Sequence, residues 1–540
     1  MSIALYFHTL RFLKPVQFTG RLGKRFRKLD YTSSDLLSLR TAEKDWTPVR
    51  LAPKSLLCES QACFLNQLGG TRDWNDPKKE KLWLYNLHYF DDLNSINGAE
   101  RSLEHRQLIA RWIHENPAPQ GNGWEPYPLS LRIVNWIKWF LQEQSPEALW
   151  LQSLALQAKV LSQTLEYHLL GNHLFSNAKA LLFTGLYFEG REANAWLNVA
   201  LNILDREIQE QVLLDGGNFE LSPMYHATIT QDMLDLINMV QCYGHPETAK
   251  RLSDWKARVN QMLTWLDAMT HPDGEVAFFN DSARGIAPTF AQLLDYAEAL
   301  GVDSADFRGA RPRLQHLKDT GYLRLNSADA AVMLDAAKVG PDYIPGHAHA
   351  DSLSFELSVF GKRLLVNSGT SCYGTSAERL RQRGTAAHNT VLIDNENSSV
   401  VWNGFRVAQR AYPKGLEIAE TAAGIKVGCS HTGYRWLKGK PHHRREWLFD
   451  GRNLAVSDTI VGHFNQAQAR YHLHPDWHTE LNDNELRCSD AAGNRVAFLV
   501  VKGRASIEGS TYHPEFGLSI PNKVLVVDFE SAEAEVIVSW

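Results

Sequence analysis

The chain has 540 residues, a mass of 61.1 kDa and a formal net charge of −5. That length favours two domains over one core, and a negative balance with 22% charged residues argues against a general nucleic-acid binder. Six scattered cysteines with no CxxC pair exclude a disulfide framework and a zinc–thiolate site, and no run reaches the roughly 18 apolar residues of a membrane span.

Residues 1–90 read as a mixed arm. Its apolar residues precede its basic ones, the reverse of a secretory leader, and no small-residue cleavage site follows. Cytoplasmic residence is the simplest expectation, with export by another route left open. The stretch Gly20–Lys28 is basic and amphipathic. It suits an anionic membrane surface or, more plainly, a helix packed on its own protein.

Helical recurrence dominates residues 91–312. Leu149–Leu170, Asn172–Tyr187, Ala193–Leu213, Thr228–Tyr243 and Glu247–Met269 all repeat apolar residues at helical spacing, with Gly or Pro at the breaks. Serial helical hairpins of this length predict an (α/α) toroid with its loops on one rim. The texture then changes. From 313 to 540, β-rich runs such as Ala331–Asp335, Leu353–Phe360, Leu454–Ile460 and Val536–Trp540 recur between turns, which predicts an antiparallel β-sandwich. The fold class expected is therefore multidomain, a helical toroid followed by a β-sandwich.

Four loops carry the polar residues that chemistry would need. In Gly346-His347-Ala348-His349-Ala350-Asp351, an extended backbone would point both imidazoles the same way, as for a metal site or an active-site floor. The plainer alternative is one surface histidine and one hydrogen-bonded one. Gly171-Asn172-His173 holds more polar groups than a helix cap requires. In Asp215–His226, Tyr225 suits a proton carrier or a packing residue, and Asp215 with Glu220 would be the carboxylate pair of a glycoside hydrolase. Asn280-Asp281 reads as a substrate contact or an Asx turn.

Taken together, Gly171-Asn172-His173-Leu174, Ser222-Pro223-Met224-Tyr225-His226, Gly346–Asp351 with Phe355-Glu356, and Arg383–Val391 resemble the heparinase II/III-like polysaccharide lyases and the related alginate lyases. Upstream, Tyr85–Phe90 and Trp124–Pro128 with Arg132 resemble the bacterial branch linked to surface-polysaccharide loci. The resemblance implies a toroid and sandwich with the active site between them. It implies a carbon–oxygen lyase that breaks an acidic polysaccharide or oligosaccharide by β-elimination at a uronic acid.

By the same resemblance Asn172 and His173 neutralise the uronate carboxylate, while Tyr225 and His347 move protons, with Tyr373 a further acid candidate. His88, Trp124, Arg132, His226, Asn280 and Arg383 are expected to contact substrate. Some relatives hold a structural zinc through a His, an Asp and a second His, which matches His349, Asn367 and His388. Asn367 departs from that pattern, and a neutral amide is the weaker zinc ligand. Zinc is thus an open expectation. No basic cluster to match sulfates is evident, which favours a non-sulfated uronate polymer. Hydrolysis, or glycan binding without turnover, are the alternatives.

Overall fold

The computed structural model describes residues 3–26, 28–32, 37–143, 146–304, 307, 309 and 311–540. Helices α1 (Ile3–Leu10) and α2 (Pro15–Phe26) open the chain, and a small antiparallel sheet spans residues 56–70. The helical domain then runs through α3 (Lys81–Tyr89), α4 (Ser102–Glu115), α5 (Pro126–Glu143), α6 (Ala148–Gln163), α7 (Gly171–Tyr187), α8 (Arg191–Gln211), α9 (Pro223–Tyr243), α10 (Pro246–Ala249), α11 (Leu252–Ala268) and α12 (Phe290–Ala299). These helices form the (α/α) toroid. One core lies inside it, with Trp112, Trp136, Phe175, Leu182, Met233 and Leu266 each at 1% exposure or less. Charge is buried there too. Lys179 Nζ bridges Asp232 and Asp235 at 2.6 Å each, and Lys138 Nζ meets Asp235 at 3.1 Å. This cluster ties α5, α7 and α9 together, because separating either partner would leave a buried charge unpaired.

α9 begins at Pro223, earlier than apolar spacing alone places it. Ser222 caps it, its Oγ accepting from Tyr225 N at 3.2 Å, and Pro223 occupies the first turn, where its missing N–H costs nothing.

Two antiparallel sheets form the C-terminal domain, starting at Leu314. One has eight strands and begins at the Pro413–Thr421 edge. The other has nine and includes Tyr322–Asn326, Ala330–Asp335, Phe355–Val359 and Ala467–Leu473. Alternating strands such as His442–Phe449 bury every second residue. Val332, Phe355 and Leu525 from one sheet share a core with Val427, Trp447 and Val536 from the other, so the domain is a sandwich.

Brackets between the domains set the cleft. Asp215 accepts from the backbone of Asp319 and Thr320 at 2.9 and 2.7 Å, and Arg324 donates to carbonyls of Ala268 and Thr270. Asp215 is thereby committed to the domain junction, which removes it from the hydrolase pairing expected with Glu220.

Candidate active site

The loop Pro345–Asp351 is not a strand. Ala348 N turns back to Pro345 O at 3.3 Å, and the two histidines point to different places. His347 reaches the toroid, with its Nδ1 on Glu220 at 2.5 Å. His349 turns inward to Asp281 and His388. The shared face expected for the pair is corrected accordingly: Pro345 and Gly346 begin a turn, so the alternation of a strand does not apply.

His347 keeps 14% of its side chain exposed, and its ring lies flat against Tyr225, with centroids 3.8 Å apart and planes 15° from parallel. The Tyr225 hydroxyl meets that of Tyr373 at 2.8 Å. Tyr373 packs on Phe405 and Phe516, with Arg379 4.9 Å from its ring centre. Burial pushes both phenols well above their ordinary pKa, helped at Tyr225 by Tyr373 and at Tyr373 by the charge of Asp281. Both hydroxyls therefore hold their protons at neutral pH.

The N-terminus of α7 faces this group. Gly171 has φ +55°, and a Cβ there would meet Ile344 at 2.6 Å and Glu220 Oε1 at 3.0 Å, so only glycine lets the helix start so close to Glu220. No side chain caps this helix end. Its first-turn N–H groups and dipole therefore favour an anion. Asn172 sits in that turn at 6% exposure, and no described residue hydrogen-bonds its amide. His173 lies beside it. Its ring packs against Tyr127, tilted by 42° with centroids 4.5 Å apart, and its Nδ1 meets Glu166 at 3.2 Å. Burial alone would lower the His173 pKa, but the charge of Glu166 and the bond to it outweigh that and raise it. The cationic form is thereby favoured beside the helix end.

Six expected substrate contacts are enclosed instead. His88 is spent on Trp74 O and the Trp112 indole, Trp124 on Asn116 O, and Arg132 on Gln157 and the carbonyls of His88 and Gly123. His226 accepts from Asn218 N and bonds Met262 O, and Arg383 donates to the carbonyls of Ala348 and Gly404. Asn280 accepts from His349 N and donates to Leu221 O, stitching the histidine loop to the Tyr225 loop. All six side chains are buried with internal partners, so they hold the loops that form the cleft rather than line it.

The zinc expectation meets a different donor set. His388 Nδ1 donates to Gly384 O at 2.8 Å, which leaves its Nε2 to accept from His349 Nδ1 at 3.1 Å. The Asn367 oxygen already accepts from Asn389 N at 3.1 Å, and its amide nitrogen is buried with no partner among the described residues. That leaves a donor where a zinc site needs an anionic acceptor. No group of three or more His, Cys, Asp or Glu among the described residues is arranged to hold a metal. The residues present do not fit a structural zinc. Asp281, doubly bonded by Arg379, organises this layer instead.

Glu166 and Tyr127 are the members of the cleft that motif reading did not bring to it, and Glu220 entered that reading only as a hydrolase carboxylate, not as the partner of His347. Glu220 and His347 are 127 residues apart in sequence, and no local pattern joins them.

Residues 73–302 match the heparinase II/III N-terminus and residues 309–540 the heparinase II/III-like C-terminal domain. The chain belongs to the heparinase II/III-like family. A heparin-sulfate lyase of Bacteroides stercoris is 27% identical over 452 residues, covering 72% of this chain and 63% of that protein. Another, from Pedobacter heparinus, is 27% identical over 323 residues, covering 53% and 47%. The chain thus spans less than two thirds of the length of these curated relatives. A crystal structure of heparinase III superposes with a TM-score of 0.69 at 17% identity, over 98% of this chain and 93% of that one. The heparan sulfate lyase structure from Pedobacter heparinus gives 0.60 at 18% identity, over 97% and 87%. At these identities the likeness is one of fold.

Proposed function

We propose that this protein is a polysaccharide lyase that cleaves a uronic-acid-containing polysaccharide by β-elimination. The observation that carries this is the meeting, in one cleft, of a helix end with Asn172 and Glu166-bonded His173, and a stacked His347–Tyr225 pair. The first half suits a carboxylate and the second half suits two proton transfers. The family and the lyases it resembles support the same reading.

The C5 proton of a uronate becomes removable only when its carboxylate charge is met by donors that strengthen as the enolate forms. Asn172, His173 and the first-turn amides of α7 supply them. Glu220 on Nδ1 fixes the His347 ring so that Nε2 is free to act as base. As the C5–H bond breaks, its proton goes to His347 Nε2 and its electrons pass into the carboxylate as the enolate. They return to form the C4–C5 double bond as the bond from C4 to the glycosidic oxygen breaks, and that oxygen takes the Tyr225 hydroxyl proton. Tyr225 suits the acid role because its phenol is protonated at rest, and Tyr373 bonds its oxygen at 2.8 Å as charge develops. Tyr127 and Phe405 give the cleft aromatic faces for sugar rings.

Screening a panel of sulfated and non-sulfated uronate polysaccharides for new ultraviolet absorbance tests this. Absorbance rising in step with new reducing ends is the expected result. Reducing ends without absorbance would mean hydrolysis. Binding without either would mean a glycan-binding protein.

A further inference from the structure

The two N-terminal helices each leave a row of large apolar side chains in solvent. An amphipathic helix on a protein surface ordinarily lays its apolar stripe on the core. In α1 the stripe Ile3, Phe7 and Leu10 has helical spacing, yet Ile3 is 87% and Phe7 61% exposed, and no residue of the helix is buried. The opposite side meets the protein, with Leu5, His8 and Thr9 half-buried and the Tyr6 ring edge-on to Trp402 at 5.2 Å. Thr9 Oγ1 donates to Leu5 O within the helix at 2.8 Å and accepts from the Trp402 indole at 3.1 Å. In α2 the buried residue is Gln17, whose amide donates to Tyr343 O at 3.2 Å, while Phe18 and Leu22 stand 48% and 62% exposed. None of these five apolar side chains belongs to a core cluster among the described residues.

Charge follows the same segment. Residues 1–29 hold seven Lys and Arg and no Asp or Glu, in a chain of net charge −5. Arg21 and Lys24 are exposed on α2, and Arg11 is exposed just after α1. Lys14 is paired with Glu210, but Arg11, Arg21 and Lys24 stand with the exposed apolar stripe in a segment that has no acidic residue of its own, the pattern of a helix that lies in a bilayer interface. We propose that α1 and α2 form a docking surface for an anionic lipid membrane. The five apolar side chains enter the headgroup boundary, and Arg11, Arg21 and Lys24 meet lipid phosphates. A second copy of the chain is the poorer occupant, since an isologous contact would set each cationic arm against its twin. A glycan polyanion would satisfy the charges but leave the apolar stripe in water.

The position gives the contact a consequence. Gln17 holds Tyr343, four residues before His347, and α1 rests on the strand pair at Val401–Trp402 and Arg406–Val407, beside Phe405 of the cleft wall. A membrane bound to this face would lie alongside the cleft and present it to glycan at the bilayer surface.

Co-sedimentation of the full chain with phosphatidylcholine vesicles and with mixed phosphatidylcholine–phosphatidylglycerol vesicles tests the proposal. Binding to the mixed vesicles, weakened by salt and absent with phosphatidylcholine alone, is expected. The triple variant Phe7→Ser, Phe18→Ser, Leu22→Ser should bind on the order of 100-fold more weakly. So should Arg11→Glu, Arg21→Glu, Lys24→Glu. Both should keep the wild-type circular dichroism and melting temperature, because the altered side chains are exposed. No binding to mixed vesicles at low salt would overturn the proposal. So would undiminished binding by both folded variants, or a solution dimer that the serine variant dissolves in a protein that binds no vesicles.

Discussion

His347 and His349 stand two residues apart in one loop, and each sets a ring nitrogen on a carboxylate, Glu220 at 2.5 Å and Asp281 at 2.8 Å. Their other nitrogens differ. That of His349 is taken by His388 in the interior, and its carboxylate is shared with the buried Arg379. That of His347 faces the cleft beside Tyr225. The carboxylate contact alone does not mark a proton carrier. What marks it is a ring oriented on one side and left accessible on the other.

Substituting each histidine should separate the two roles. His347→Asn, whose amide can still donate to the buried Glu220 carboxylate, is expected to lower kcat by about 10²–10⁴, the range of a lost general base, with the melting temperature nearly unchanged. His349→Ala should do the reverse to stability. It removes one partner of the buried Asp281 network and should cost about 3 kcal/mol, seen as a lower melting temperature. Steady-state kinetics and thermal melts on the pair would break the distinction if both variants lost stability alike.

Asn172→Ala comes next. Its amide has no hydrogen bond to a described residue, so folding should be untouched. kcat should fall by about 10²–10³, as for a lost oxyanion donor, and near-native turnover would refute its role.

Much of this architecture was legible in the sequence. The change from helical to alternating texture followed directly from apolar spacing, because each half buries one face of regular elements. The loops bearing Asn172, Tyr225 and His347 were legible as motifs. The pairings were not, since Glu220–His347 and Glu166–His173 depend on how the toroid brings distant loops together. The six enclosed contact residues show the converse. Polar side chains such as Arg132 and Arg383 stand out in sequence, yet their burial is decided by loops that need carbonyl partners. The start of α9 was readable from Ser222-Pro223, a cap signal that apolar spacing obscured.

Smaller effects sharpen the picture of the carboxylates. Glu220→Gln should keep the His347 ring in place but weaken it as a base, lowering kcat about 10–100-fold, as for other carboxylates behind a histidine. Glu166→Gln should instead change the pH profile. The His173 pKa is raised, so its cationic form, and the stability of its ion pair, persist at low pH and are lost as pH rises through that value. Removing Glu166 leaves burial opposed only by the more distant charge of Glu220, and the alkaline limb of kcat/KM should move to lower pH. An unmoved limb would take His173 out of carboxylate neutralisation. The smallest effect on turnover is expected from Asn367→Asp. It converts an orphaned amide into a carboxylate near His349 and His388, and elemental analysis after growth with zinc should show occupancy rising above that of the wild type. Zinc already stoichiometric in the wild type would contradict the fit drawn for that layer.

The central claim is that the reaction begins with removal of the uronate C5 proton by His347. Single-turnover rates on the best substrate of the polysaccharide panel, with hydrogen or deuterium at C5, test it most directly. The account predicts slower appearance of the unsaturated product from the deuterated substrate, and a much reduced rate for both in His347→Asn. Equal rates for the two isotopic substrates at single turnover, or a His347→Asn variant as fast as the wild type, would contradict it.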